Sequence, residues 1–426
     1  MPLIIIPSIA IFILELLFFL RRPLSVFRFF SFCYATIVGL GVPMVMLIDA
    51  ISGYKFQLRD LDRIQIMYVC GYALIYIGAL PVMVSGRLLR DKSGASQTRL
   101  TDFGETPLPF AQRGGLVVLL LMSVGATLIY LATSGFSFGS SGYESRYEEA
   151  SGSGPLLLFI PAFLPYAAYR LATAKGLGKF LLIALVLIVF NVFIFMLLSG
   201  YRQLLIGSAL LCMIVAVDRG FIPRWTIIPA AVIVFPLVAL SMSFARYSGE
   251  ESTPFADKTA AALYYIQGDV FPIDAPMRIM WYCDIQPCPG TDVFVSHLQK
   301  FVPRGAWPDK PKILPDSAGF YTQTVLNYKR QLTLSATIMG EALLMGSMVQ
   351  AALVMILSGF FAALMTSLFY AARPSISYFV YLANIYIGFF WVREGFEDAI
   401  NRVIIMLIYA FIAVACAILL KGVRRS

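Results

Sequence analysis

The sequence predicts an all-α polytopic membrane protein, and three observations carry that prediction. Of its 426 residues, 59% are hydrophobic and only 13% are charged. Apolar runs of about 20 residues, the length at which a helix crosses a hydrocarbon core, recur along the chain. The runs are continuous, as in 181–198, whereas a membrane β-barrel alternates apolar and polar residues in shorter segments.

Taken in order, the runs fall at 2–20, 29–50, 65–86, 115–134, 155–172, 180–199, 204–217, 225–245, 343–370, 375–392 and 402–420. They amount to about eleven spans, within a range of about ten to thirteen. The first run has its charges behind it, at Arg21 and Arg22, the reverse of a secretory signal, so it is read as a retained span. Lys and Arg crowd alternate connections: Arg21, Arg22 and Arg28; Arg87, Arg90 and Lys92; Lys175 and Lys179; Lys421, Arg424 and Arg425. By the positive-inside rule these connections are cytoplasmic, which puts the N-terminus outside and the C-terminus inside. The net charge of +9 is thus an orientation signal on loops beside the spans, and no nucleic-acid partner is expected.

Three segments result. Residues 1–245 form an N-terminal bundle of about eight spans, 246–333 a large outward loop with short helices, and 334–426 a C-terminal group of about three spans. The candidate chemistry collects on the outer face, where long polar loops are usually functional. Another outward stretch, 135–154, is rich in Gly and Ser and reads as a solvated loop.

Cys33, Cys70, Cys212 and Cys416 lie in apolar runs and read as packing residues. Cys283 and Cys288 lie in the outward loop beside Pro287 and Pro289 and are disulfide candidates if that side is oxidising. His297 is the one histidine, and without a Cys/His cluster no metal site is expected. It reads as an exposed loop residue. Glu15 and Asp49, inside the first two spans, are expected to be paired or protonated, because a bare intramembrane carboxylate is costly.

Five features could carry chemistry. Ser199-Gly200-Tyr201-Arg202 is a tight turn between two spans, ending in a cation that either anchors the helix or binds an anion. The segment 302–312 combines rigid prolines, Trp307 and the cations Arg304, Lys310 and Lys312; indole stacks on a sugar face and cations suit phosphate. Asp269 follows Tyr264 and Tyr265, while Glu341 is a charge at a membrane boundary that either caps a helix or faces a site. Finally, Arg393-Glu394-Gly395 precedes Glu397, Asp398 and Arg402, with Asp398 and Arg402 one helical turn apart. A surface ion-pair network accounts for that cluster, and so does a phosphate clamp with a general base, since guanidinium forks grip phosphate oxygens.

The turn ending in Arg202, the Pro303-Arg304, Trp307-Pro308 and Lys310-Pro311 pattern, the 335–341 segment and the Arg393-Glu394-Gly395 cluster together resemble Wzy-type oligosaccharide repeat-unit polymerases. The likeness runs from about residue 199 to the C-terminus and is greatest to the enterobacterial common antigen branch, although Gly268 and Lys310 stand where that branch carries arginine. The resemblance implies a metal-independent, inverting glycosyltransferase of the bacterial inner membrane, without cofactor, and makes the outer side the periplasm. Its substrate would be an undecaprenyl-diphosphate-linked oligosaccharide in the lipid, for O-antigen, enterobacterial common antigen or a related exopolysaccharide. A chain-length-determining co-polymerase is the implied partner. Arg202, Arg393, Glu394 and Asp269 are the implied catalytic residues, the carboxylates as alternative bases. Arg246, Arg304, Trp307, Lys310, Arg402, Glu341 and Asp398 are the candidate contacts to diphosphate or sugar. An O-antigen ligase, which leans on a loop histidine, and a lipid-linked oligosaccharide flippase share this layout and are the competing readings.

Overall fold

The computed structural model describes residues 2–21, 25–52, 61–93, 108–134, 154–197, 202–226, 272–299, 302, 305–310, 316–328, 334–371 and 375–423. Among them every regular element is helical. In chain order these are α1 (Pro2–Arg21), α2 (Val26–Ser52), α3 (Leu61–Ser93), α4 (Phe110–Ser134), α5 (Gly154–Phe159), α6 (Leu164–Ala172), α7 (Leu177–Leu197) and α8 (Arg202–Asp218). After the next described gap come α9 (Asp274–Ile285), α10 (Asp292–Gln299), α11 (Ser317–Phe320), α12 (Thr337–Leu344), α13 (Met348–Ala371), α14 (Ile376–Ala383), α15 (Ile387–Glu394) and α16 (Phe396–Val423).

Six of these contain an apolar stretch long enough to cross a membrane: Val26–Leu47, Leu61–Gly86, Phe110–Thr133, Leu177–Phe195, Met348–Leu368 and Phe396–Gly422. The count is seven if α14 and α15 are one broken span. The runs expected at 155–172 and 204–217 appear as the shorter apolar helices Leu156–Ala172 and Leu204–Asp218. Nearly all of the run expected at 225–245, and the whole Gly/Ser-rich stretch up to residue 153, lie outside the described residues. The chain is a multi-pass membrane protein.

Two compact units are interleaved along the sequence. One comprises Met1–Gly86, Ala230–Met365 and Ile387–Ile400; the other comprises Arg87–Pro229, Thr366–Tyr386 and Asn401–Ser426. In the second unit, Gly115 brings α4 so close to α16 that a Cβ would collide with Ala413 O, and the Tyr409 hydroxyl donates to Leu158 O. Arg219 donates from both guanidinium ends to Ala172 O and Ala174 O, each at 2.9 Å, satisfying carbonyls at the end of α6.

The first unit carries most of the candidate site residues. Glu15 of α1 is buried and accepts from Ser31 Oγ at 3.1 Å, Tyr72 OH at 2.8 Å and the Tyr76 hydroxyl, so this carboxyl in the first apolar run is paired within the protein. Outside the long helices, Ala275 and Ile279 of α9 form a core cluster with Tyr321, Ala336 and Leu344, the last at the end of α12. Cys283 and Cys288 are joined, with an S–S distance of 1.96 Å. Just beyond them, Gly290 turns at φ +67° and its N–H donates to Leu344 O at 3.0 Å, tying the loop to the end of α12.

Candidate functional site

The Arg393-Glu394-Gly395 cluster becomes a turn between two helices. Helix α15 ends at Glu394, where Gly395 N–H donates to Trp391 O at 3.1 Å, and α16 begins as Ala399 N–H donates to Gly395 O at 3.3 Å. One residue therefore closes one helix and opens the next. Gly395 does so at φ +108°, in the left-handed region that glycine adopts without steric cost. Helix α15 is held from behind. Gly388 lies so close to α2 that a Cβ would stand 2.8 Å from Phe30 N, and buried Trp391 packs its ring 5.4 Å from Phe30 and 5.9 Å from Phe396. Arg393 and Glu394 are carried at the end of this anchored helix, Nη1 to Oε1 3.5 Å apart, with side chains 13% and 15% exposed.

A second device fixes the same turn from below. The Glu341 carboxyl, fully buried on α12, accepts Phe396 N–H at 2.5 Å and Glu397 N–H at 3.2 Å. These are among the N–H groups that have no partner within their own helix, so Glu341 caps α16 from a distant segment, where the helix dipole favours a negative group. Burial, then the charge of Glu397, nevertheless pushes the Glu341 carboxyl well above the usual carboxylate range, against the pull of those two N–H groups. Between capping and facing the site, the two readings open in the sequence, the geometry supplies the cap. Ser335 adds a third tie by donating from Oγ to Arg393 O at 2.6 Å. Between these residues, Thr337 opens α12 at φ +65°, a strained conformation for a β-branched residue, and its Oγ1 accepts Gly340 N–H at 3.2 Å.

The segment that follows α9 meets the same helix head. Glu397, in the first turn of α16, accepts Ser317 N–H at 3.2 Å and Ser317 Oγ–H at 2.8 Å. His297 of α10 places Nδ1 3.5 Å from Glu397 Oε2 and 3.8 Å from Asp316 Oδ2. His297 is buried, not exposed as its loop position suggested, because helix α10 turns it inward beside residues far away in sequence. The expectation of no metal site rested on counting histidines and cysteines. His297, Asp316 and Glu397 form a set whose donor atoms all lie within 4.8 Å of one another. Sequence reading missed Asp316 altogether; its signal was the Asp-Ser pair that opens α11, where the carboxylate accepts Gly319 N–H at 2.8 Å.

The other candidates are distributed as follows. Trp307 is half-buried in a turn in which Lys310 N–H donates to Trp307 O at 3.2 Å and Lys310 Nζ donates to Val302 O at 3.0 Å. Asp398 and Arg402 are one turn apart on α16, both half-buried. Arg202 opens α8, and only its backbone is described. Arg246, Asp269 and Arg304 lie outside the described residues.

The arrangement can bind an anion at Arg393, with the Glu394 carboxylate beside it to accept a proton, on a turn clamped by Glu341, Ser335 and Trp391. Residues 3–424 match the model of a family described as WzyE protein, O-antigen assembly polymerase. No solved structure matches the chain.

Proposed function

The chain belongs to the WzyE family of O-antigen assembly polymerases, and on that premise we propose that it extends a lipid-linked glycan at the periplasmic face of the bacterial inner membrane. The growing chain, carried on undecaprenyl diphosphate, is transferred to the non-reducing end of a newly arrived lipid-linked repeat unit. An acceptor hydroxyl oxygen attacks the anomeric carbon of the donor from the face opposite the diphosphate. The carbon–oxygen bond to the diphosphate breaks, undecaprenyl diphosphate leaves with the electron pair, and the configuration inverts. Glu394 or Asp269 takes the hydroxyl proton. Arg393 and Arg202 neutralise the departing diphosphate, Arg304 and Lys310 assist, and Trp307 offers a face for a sugar ring. Arg246, Arg402 and Asp398 complete the polar lining in this reading, with the N-terminus periplasmic and the C-terminus cytoplasmic. Arginine electrostatics of this kind stabilise the leaving group without a metal at the reacting centre, and a chain-length-determining co-polymerase is the expected partner.

The observation that carries the reading is the clamped Arg393-Glu394-Gly395 turn. Contacts from Glu341, Ser335 and Trp391 hold the backbone that carries one guanidinium–carboxylate pair, which supports the preorganisation that electrostatic catalysis needs. The test is a gel of surface and lipid-linked glycans from a deletion strain complemented with wild type or Arg393→Ala. Arg393→Ala is expected to reduce polymer by at least about 100-fold, leaving single repeat units exported and attached. Wild-type chain lengths from a stably expressed Arg393→Ala protein would reject the assignment. Full-length polymer retained on the carrier would instead indicate a ligase, and single units trapped on the inner leaflet a flippase.

A further inference from the structure

We propose that His297, Asp316 and Glu397 form a binding site for one divalent transition cation of the zinc and manganese class, which staples the outward loop to the head of α16. The three residues come from separate segments: α10, the residue ahead of α11 and the first turn of α16. All are buried, at 2%, 5% and 3% exposure.

The distances decide between two readings of this cluster. A charge-assisted N–H···O bond spans about 2.7–2.9 Å, whereas His297 Nδ1 stands 3.5 Å from Glu397 Oε2 and 3.8 Å from Asp316 Oδ2. Ligands at about 2.0–2.1 Å around a tetrahedral ion are about 3.4 Å from one another. Both imidazole–carboxylate distances are near that edge, and the carboxylate pair is within 4.8 Å, a gap that small side-chain adjustments close onto an ion.

Charge agrees with geometry. Two carboxylates with a neutral imidazole match the charge of a divalent cation. The ligands are also oriented from outside. Asp316 Oδ1 accepts Gly319 N–H at 2.8 Å, which turns Oδ2 toward His297, and Ser317 donates to Glu397 Oε2 from both Oγ and N–H. The imidazole nitrogen selects against calcium and magnesium, which favour all-oxygen shells. A buried site between a loop and a helix head is structural, and its effect is on stability. It is therefore independent of the polymerase reading, and its test does not use activity.

The full-length protein is purified in detergent, stripped with EDTA, equilibrated with ZnCl2 or, separately, MnCl2, and freed of unbound metal. Metal content and apparent Tm are then measured. Wild type should retain about one zinc or manganese ion per chain and gain several degrees in Tm. His297→Gln, which keeps a polar group of similar size, should retain at least about tenfold less metal. The proposal fails if wild type and His297→Gln carry the same metal content. It also fails if EDTA and added metal leave the wild-type Tm unchanged, a result that needs no variant to fold.

Discussion

Gly395 lies directly over the Glu341 carboxyl: a Cβ at position 395 would collide with Glu341 Oε2, the oxygen that accepts Phe396 N–H at 2.5 Å. The missing side chain and the buried acid are two halves of one joint. Gly395 lets the chain turn at φ +108°, and Glu341 fills the space beneath and caps the helix that follows.

Gly395→Ala should therefore cost more than an ordinary surface substitution. The positive φ alone costs about 1–3 kcal/mol for a non-glycine residue, and the methyl group must also displace the capping carboxyl. A lower apparent Tm in detergent and a shorter glycan ladder are expected together, because the turn carries Arg393. An unchanged Tm would show that the joint tolerates a side chain.

Glu341 gives the protein a pH dependence whose sign can be worked out. Its folded pKa is raised, so the folded protein holds a proton that the unfolded chain releases above the usual carboxylate range. The stability from that proton is complete below that range and declines as pH rises through it toward the raised folded value. Apparent Tm of wild type should fall more steeply from about pH 5 to about pH 8 than that of Glu341→Gln, which keeps a capping oxygen and cannot ionise. Parallel curves would mean that Glu341 does not titrate in this way. Glu341→Ala, which removes the cap and cannot titrate, should lose about 0.5–2 kcal/mol at low pH, with the deficit against wild type shrinking as pH rises.

The same residues show what a sequence can and cannot reveal here. Apolar runs of membrane-spanning length mark hydrocarbon-soluble helices by composition alone, and six helices of that kind are present among the described residues. Arg393-Glu394-Gly395 was visible as a cluster because its members are adjacent. Glu341 could be recognised as a charge out of place, but the N–H groups it caps lie more than fifty residues later, and no local signal connects them. The setting of His297 was hidden for the same reason. Its acidic neighbours arrive from the residue ahead of α11 and from α16, and a loop histidine looks solvent-exposed until the fold brings those segments together.

The Cys283–Cys288 bond makes a prediction that depends on loop closure. A cross-link over so short a loop restricts the unfolded chain by about 2 kcal/mol in the chain-entropy account. It also stiffens the bend through which Gly290 N–H reaches Leu344 O, at the end of the helix that carries Glu341. Reductant should therefore lower the apparent Tm of wild type, and leave Cys283→Ser/Cys288→Ser, already lowered, where it is. Mass spectrometry should find both thiols alkylated only after reduction. Alkylation without reductant would show that the bond does not form.

The deepest packing prediction concerns α3 and α13, whose backbones meet through two glycines. A Cβ at Gly78 would collide with Ile356 O, and a Cβ at Gly359 would collide with Ile75 O. Each glycine faces the carbonyl three residues before the other, so the contact is reciprocal. Apolar burial gives little drive between helices already in lipid, and close backbone approach over small residues supplies the packing instead. Gly78→Leu or Gly359→Leu should each force the helices apart, at a cost of about 1–3 kcal/mol. Once one substitution has separated them, the other has less contact left to destroy, so the double variant should lose clearly less than the sum of the two. Additive losses would mean that the glycines serve separate contacts. Because α13 follows α12 through Gly346 at φ +79°, the separation should reach Glu341 and shorten the glycan ladder, although neither glycine is near Arg393 in sequence.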